Sequence, residues 1–116
     1  MHPVPGESGT FVHSVYFWLR PDLSAEQQQA FVRALQTLQA IEHVQHGWIG
    51  KPAATDRPII ERSYTHALTL VFADDAAHEA YQVHPVHDRF RQEFGDFWTR
   101  VLIYDSVDAT RRHQAN

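Results

Sequence analysis

The sequence predicts an α+β domain in which four β-strands form an antiparallel sheet and helices cover one face of that sheet. Three observations lead to this fold class. Segments with strand and helix patterns follow one another in the order β-α-β-β-α-β. The length of 116 residues is enough for one domain with a hydrophobic core. Hydrophobic residues make up 43% and charged residues 21%, which is the balance of a folded domain and not of a disordered chain.

The first half of the chain is predicted to contain a strand, a helix and a weaker strand. Residues 11–19 are β-branched and aromatic, without glycine or proline, which is typical of a strand. Residues 24–41 are predicted to form a helix, because Ser24 can act as its N-cap and Gln27 completes a capping box. The apolar stripe of this helix consists of Phe31, Leu35, Leu38 and Ile41. Residues 43–49 are predicted as the weaker strand.

The second half is predicted to contain a proline-containing loop, two strands and two helical segments. Pro85 cannot continue a helix, so one helical segment ends before it and another begins after it. In order, the elements are a loop over 51–63, a strand over 64–73, helices over 74–83 and 86–97, and a strand from Trp98 or Val101 to Val107. This is the order of the ferredoxin-like, split βαβ plan. It predicts a domain over residues 11–107 between an N-terminal tail (1–10) and a polar C-terminal tail (108–116).

Both faces of the predicted sheet are apolar. In the first strand His13, Val15 and Phe17 point to one side, whereas Tyr16 and Trp18 point to the other. By the same alternation, one face of the 64–73 strand carries His66, Leu68, Leu70 and Phe72. Because helices can cover only one face, the other would be an exposed apolar patch. The sequence therefore predicts a homodimer that pairs sheet against sheet.

Composition narrows the classes of function. A net charge of −4 argues against nucleic acid as a partner. The absence of cysteine excludes disulfides, thiolate metal sites and cysteine nucleophiles. No apolar run approaches the roughly 20 residues of a membrane span, and the first nine residues lack the pattern of a secretory signal. A cytoplasmic protein without nucleic-acid or membrane partners is expected.

The densest group of chemically active residues is the run Tyr81-Gln82-Val83-His84-Pro85-Val86-His87. Pro85 favours the first position of a helix, which places His87 in the first turn, where the helix dipole disfavours imidazolium. A histidine that is neutral near pH 7 can act as a general base. The kink would bring the Tyr81 hydroxyl toward the same pocket. In the alternative interpretation Tyr81 is a core residue, and His84 and His87 form hydrogen bonds with the kinked backbone.

His13 and His66 lie on the face assigned to the helices. Together with His84 and His87 they would form the polar end of an apolar cavity, which is the composition of a small-molecule site. The walls of this cavity are expected to include Val15, Phe17, Leu68 and Leu70. The sequence contains no tight metal-ligand motif, so neither a metal site nor a cofactor is expected.

Four separated blocks of the sequence, HSVYFWL, YTHALTLVF, AYQVHPVH and LIYDSV, resemble the stress-responsive A/B barrel (Dabb) domain family. The resemblance covers residues 13–107, and Tyr-x-x-His-Pro-x-His is its most specific part. It implies a dimeric α+β barrel built from ferredoxin-like protomers. Many members have no established reaction, whereas a plant branch comprises cyclases that close an aromatic polyketide ring by an aldol step without a cofactor. The catalytic tyrosine and histidine of that branch match Tyr81 and His87, and histidines that match His13, His66 and His84 line the same cavity.

Two classes of function follow. In the first, the protein binds a small aromatic or acyl molecule. If it is also an enzyme, His87 removes a proton from a carbon beside a carbonyl and Tyr81 bonds the developing enolate oxygen. In the second, the protein is a non-enzymatic, stress-associated dimer in which the kink before His87 is structural. A monooxygenase-like role follows from fold analogy alone.

Overall fold

Strands and helices follow the order β1-α1-β2-β3-α2-α3-β4 in the computed structural model, which describes residues 9–110. The strands are β1 (Phe11–Leu19), β2 (His46–Gly50), β3 (His66–Phe72) and β4 (Trp98–Val107). The helices are α1 (Ala25–Gln39), α2 (Asp75–Gln82) and α3 (Pro85–Phe94). All neighbouring strands are antiparallel, and their order in the sheet is β2-β3-β1-β4. This arrangement is ferredoxin-like and confirms the predicted fold class. Most of the predicted tails, residues 1–8 and 111–116, lies outside the described residues.

Helix α1 begins with the predicted capping box. The Ser24 hydroxyl accepts a hydrogen bond from the Gln27 backbone N–H, and the Gln27 side chain accepts one from the Ser24 backbone N–H. These two bonds satisfy donors that the first helical turn leaves without partners. The predicted apolar stripe of this helix is buried in the core, at Phe31, Leu35, Leu38 and Ile41.

The hydrophobic core lies between α1 and the helix-facing side of β1 and β3. On this side the alternation predicted from the sequence is confirmed, because Val15, Phe17, Leu68, Leu70 and Phe72 are all buried. The rings of Phe17 and Phe31 meet edge to face with their centroids 5.1 Å apart. His13 shares this side of β1 and is only 3% exposed.

The helices leave the edge strand β4 uncovered on the side that faces them. Val101 pairs with Phe17 and Ile103 pairs with Val15, so both β4 residues point to the helix side of the sheet. Unlike their β1 partners, Val101 and Ile103 remain 38% and 51% exposed. One wall of the space between sheet and helices is therefore open at β4.

The opposite face of the sheet carries aromatic side chains. The ring of Tyr16 contacts those of Tyr64 and Tyr104, with centroids 5.0 and 6.3 Å apart. Tyr104 and Trp48 are largely exposed. The exposed apolar face that the strand alternation predicts is present.

Most elements after β1 differ from their predicted bounds by one or two residues, and the largest differences are at the start of β2 and the end of α3. The strand predicted over 43–49 begins at His46, because consecutive turns after α1 (Ile41 N–H to Leu38 O, Val44 N–H to Ile41 O) delay pairing with β3. Helix α3 ends at Phe94 instead of residue 97. Gly95, a residue that disfavours helix, is the C-cap that follows Phe94. Within residues 9–110 no helix is long and apolar enough to cross a bilayer.

Candidate small-molecule site

A cavity of about 210 Å³ lies between the sheet and the helices, next to the uncovered edge strand. Its walls are mainly apolar and come from Val15, Phe17, Leu38, Leu68, Phe90, Trp98, Val101 and Ile103. Its polar side chains are His13, Tyr81, Gln82, His87 and Arg91. Apolar walls with a few convergent polar groups are typical of a site for a small organic molecule.

The turn between α2 and α3 brings Tyr81 and His87 together. Tyr81 lies in the last turn of α2 and is 1% exposed. His84 is extended (φ −69°, ψ 142°), and Pro85 begins α3, which places His87 in its first turn. The rings of Tyr81 and His87 meet edge to face with centroids 4.9 Å apart. The kink predicted from the sequence is therefore present, with both side chains on the cavity.

Burial sets the protonation states of this pair. Burial lowers the pKa of His87 below its usual value, and the nearby Arg91 cation acts in the same direction. Burial also raises the pKa of the Tyr81 phenol above its usual value. Near pH 7 the imidazole is therefore neutral and the phenol is protonated, so the cavity presents one base and one hydroxyl donor.

In the structural interpretation, His87 forms a hydrogen bond with the backbone. Its Nδ1 atom forms no such bond: it is buried and has no hydrogen-bond partner among residues 9–110. A buried polar atom without a partner costs free energy unless a ligand or water satisfies it. This property favours a binding role for His87.

Sequence reasoning missed two polar residues beside this cavity. Asp105 Oδ1 lies 2.5 Å from His13 Nδ1, and the two residues are register partners across β1 and β4. The ring of His78 lies 4.8 Å from that of His13. The antiparallel pairing of the first and last strands could have indicated Asp105. The spacing of His78 three residues before Tyr81 on one helix could have indicated His78.

Three predicted site residues do not line this cavity. His66, at the start of β3, stacks on Phe31 and faces a separate surface depression with Arg33. Leu70 is completely buried in the core. His84 points to the outside of the helices instead of inward.

His84 has the backbone-bonding role of the structural interpretation. Its Nδ1 atom accepts a hydrogen bond from the Val86 backbone N–H at 3.1 Å, which makes it the N-cap of α3. Its Nε2 atom lies 3.2 Å from a carboxylate oxygen of Glu42. Within one short motif, His84 therefore stabilises the turn while His87 faces the cavity.

A wider groove of about 590 Å³ lies on the outer surface between α1 and α3, and His84 lines it. Its rim carries the charged residues Arg33, Glu42, Arg89 and Glu93. Neither Tyr81 nor His87 lines this groove. The smaller cavity is the better candidate site, because there a base and a hydroxyl donor converge on apolar walls.

Comparison with known proteins agrees with this architecture. Residues 11–108 match the family model of the Stress Responsive A/B Barrel Domain. The chain belongs to this family. Among solved structures, this Dabb domain is similar to a Dabb protein with a ferredoxin-like fold from Mesorhizobium loti. The TM-score is 0.70 and the identity 29%, over 86% of this chain and 97% of that one.

Two further structures share the fold of this Dabb domain at lower identity. One is a dimeric ferredoxin-like protein of unknown function from Thermobifida fusca, with a TM-score of 0.71 and 17% identity over 88% of this chain and 93% of that one. The other is the hydroxynitrile lyase of Passiflora edulis, with a TM-score of 0.73 and 18% identity over 90% and 98%. No curated protein sequence matches the chain.

Proposed function

We propose that this Dabb domain binds a small, mainly apolar molecule with a carbonyl group in the cavity that Tyr81 and His87 line. The observation that carries this proposal is the convergence of a neutral imidazole and a protonated phenol on apolar walls. The cavity measures about 210 Å³, and a cavity of roughly 150 Å³ can hold benzene. The ligand is therefore one aromatic ring with small substituents, or a short acyl chain.

The two polar groups contact different atoms of such a ligand. The Tyr81 hydroxyl donates a hydrogen bond to the carbonyl oxygen, and His87 faces the adjacent carbon. If the protein is an enzyme, His87 removes a proton from that carbon while Tyr81 stabilises the enolate oxygen. A carbanion formed in this way can attack a second carbonyl, which is the aldol step of a cofactor-free cyclase. The fold also occurs in an enzyme, the hydroxynitrile lyase of Passiflora edulis.

The shift in melting temperature caused by each of a panel of small molecules tests the proposed binding site. Single-ring phenols, short polyketide-like ketones and acyl compounds are added to wild type, to His87→Ala and to His46→Ala, a control at an exposed histidine outside the cavity. We expect stabilisation of wild type and of His46→Ala, and loss of that stabilisation in His87→Ala. Tyr81→Phe keeps the ring and should weaken binding by about 0.5–1.5 kcal/mol, the contribution of one hydrogen bond. Equal stabilisation of wild type and His87→Ala would contradict the site.

The same experiment distinguishes a structural, stress-associated protein. In that case no compound stabilises wild type, and His87→Ala melts earlier than wild type because it loses packing against Tyr81. A ligand-dependent shift in wild type, together with a His87→Ala variant of unchanged melting temperature, would exclude this alternative.

We further propose that the domain is a homodimer formed through the open face of its sheet. That face carries Tyr16, Tyr64 and the exposed Tyr104, and an apolar patch of this kind favours self-association. Fold relatives from Thermobifida fusca, Bacteroides fragilis and Jannaschia are described as dimeric. The cytoplasmic location expected from the sequence stays a prediction.

A further inference from the structure

Three potential metal ligands meet at the open edge of the cavity. His13 of β1, His78 of α2 and Asp105 of β4 each offer one ligand atom, and these atoms all lie within 4.8 Å of one another. The first and last of these residues are already in contact, through Nδ1 and Oδ1 at 2.5 Å. The spacing of residues along the chain does not indicate this cluster, because its members come from three separate elements.

We propose that the His13–His78–Asp105 cluster binds a divalent transition-metal ion, of which zinc is the first choice. Two imidazole nitrogens and one carboxylate oxygen form a donor set that zinc uses in open sites, where a fourth position is left to water or a ligand. The same donors also suit other ions of the first transition row. This inference does not depend on the proposed function, and it revises the sequence-based expectation of no metal.

The side chains need only small movements to reach coordination distance. Zinc–ligand bonds of about 2.0–2.2 Å in a tetrahedron place the ligand atoms roughly 3.3 Å apart. The bound ion would take the place of the proton between His13 and Asp105 and move these side chains apart. Asp105 can move because its side chain is 39% exposed at the sheet edge. His13 is almost completely buried and supplies the fixed ligand.

Neighbouring side chains already orient the His78 ring. Phe11 stacks on it with the ring centroids 4.3 Å apart and the planes at 19°. The side-chain amide of Gln82 lies 3.0 Å from its Nε2 atom. A metal-bound imidazole donates its other ring N–H to an acceptor, and the Gln82 amide can supply that acceptor by turning its oxygen toward His78 Nε2. Since His13 and Gln82 also line the cavity, the open position of the ion would lie beside it.

Isothermal titration of the full chain with zinc chloride, after treatment with a chelator, tests this site. We expect one tightly bound zinc per chain in wild type. Substitution of a direct ligand, in His78→Ala or Asp105→Asn, should weaken binding by more than about 100-fold, because even the loss of an outer-shell partner costs about 10–100-fold. His46→Ala removes an exposed histidine outside the cluster and should bind zinc like wild type.

Three outcomes would overturn the site: no zinc binding by wild type, wild-type affinity in both cluster variants, or an equal loss in His46→Ala. The last outcome would mean that the histidines of the surface bind zinc without a defined site. X-ray absorption of the zinc-loaded wild type provides a second measurement, and it should show two imidazoles in the first shell. The ligand panel described above is run in the presence of chelator. The proposal of a metal site and the proposal of a small-molecule site can therefore be refuted independently.

Discussion

At the scale of single residues, burial decides what the histidines can do. His66 stacks on Phe31 at the start of β3, and its Nε2 atom is buried without a hydrogen-bond partner among residues 9–110. This burial lowers the pKa of His66 below 6.5, whereas a hydrogen bond with the Gly50 backbone acts in the opposite direction. His66 is therefore neutral in the folded state near pH 7 and costly to protonate.

We expect acidification to destabilise the protein partly through His66. Between the lowered folded-state pKa and the unfolded-state pKa near 6.5, the unfolded chain binds more protons, so the free energy of unfolding falls as pH falls through that window. His66→Phe keeps a ring against Phe31 and removes the titration. Urea unfolding between about pH 5 and pH 7.5 should therefore show a smaller pH dependence in this variant than in wild type. An equal dependence in both proteins would refute the assignment, and His46→Phe is the exposed control.

At the scale of elements, the turn from α2 to α3 gives different roles to two histidines that lie three residues apart. His84 caps α3 and points to Glu42, whereas His87 lines the cavity. The extended backbone before Pro85 explains this division, because it directs the first histidine out of the helical path and the second into the helix. Sequence alone assigned both histidines to one pocket.

We expect His84→Ala to lower the free energy of unfolding by about 1 kcal/mol, the usual cost of losing an N-cap. His84→Asn should recover most of this loss, because asparagine is a good N-cap. Urea unfolding measures both effects. Any ligand that stabilises wild type should stabilise both variants equally, since the His84 side chain lies outside the cavity. Loss of ligand binding in His84→Ala without loss of stability would instead support the sequence-based assignment.

At the scale of the whole molecule, the open face of the sheet determines assembly. Light scattering of wild type should report about twice the chain mass of 13.4 kDa. Tyr104→Glu places a charge on the open face and should shift the protein toward the monomer, because an unpaired charge is costly to bury in an apolar interface. Ile59→Glu is the matched control, since Ile59 is also a highly exposed apolar residue but lies in the loop before β3. A monomeric wild type would contradict the proposed dimer.

Local patterns were sufficient to predict most elements. The bounds of β1 agree with the structure, and so does the capping box at Ser24 and Gln27. These features depend on interactions between residues at most a few positions apart, which periodicity and capping describe. The predicted start of β2 and the predicted end of α3 were less accurate, because strand pairing and a glycine cap determine these bounds.

By itself, the sequence determined the ferredoxin-like order of elements, the two apolar faces of the sheet and the kink that carries Tyr81 and His87. Each of these is set by local propensity or by strand alternation. The tertiary structure alone decided that Asp105 and His78 reach His13, and that His66 and His84 lie outside the cavity. The reason is that these relations depend on strand register and helix placement between residues up to 92 positions apart. No pattern within one element reports such contacts.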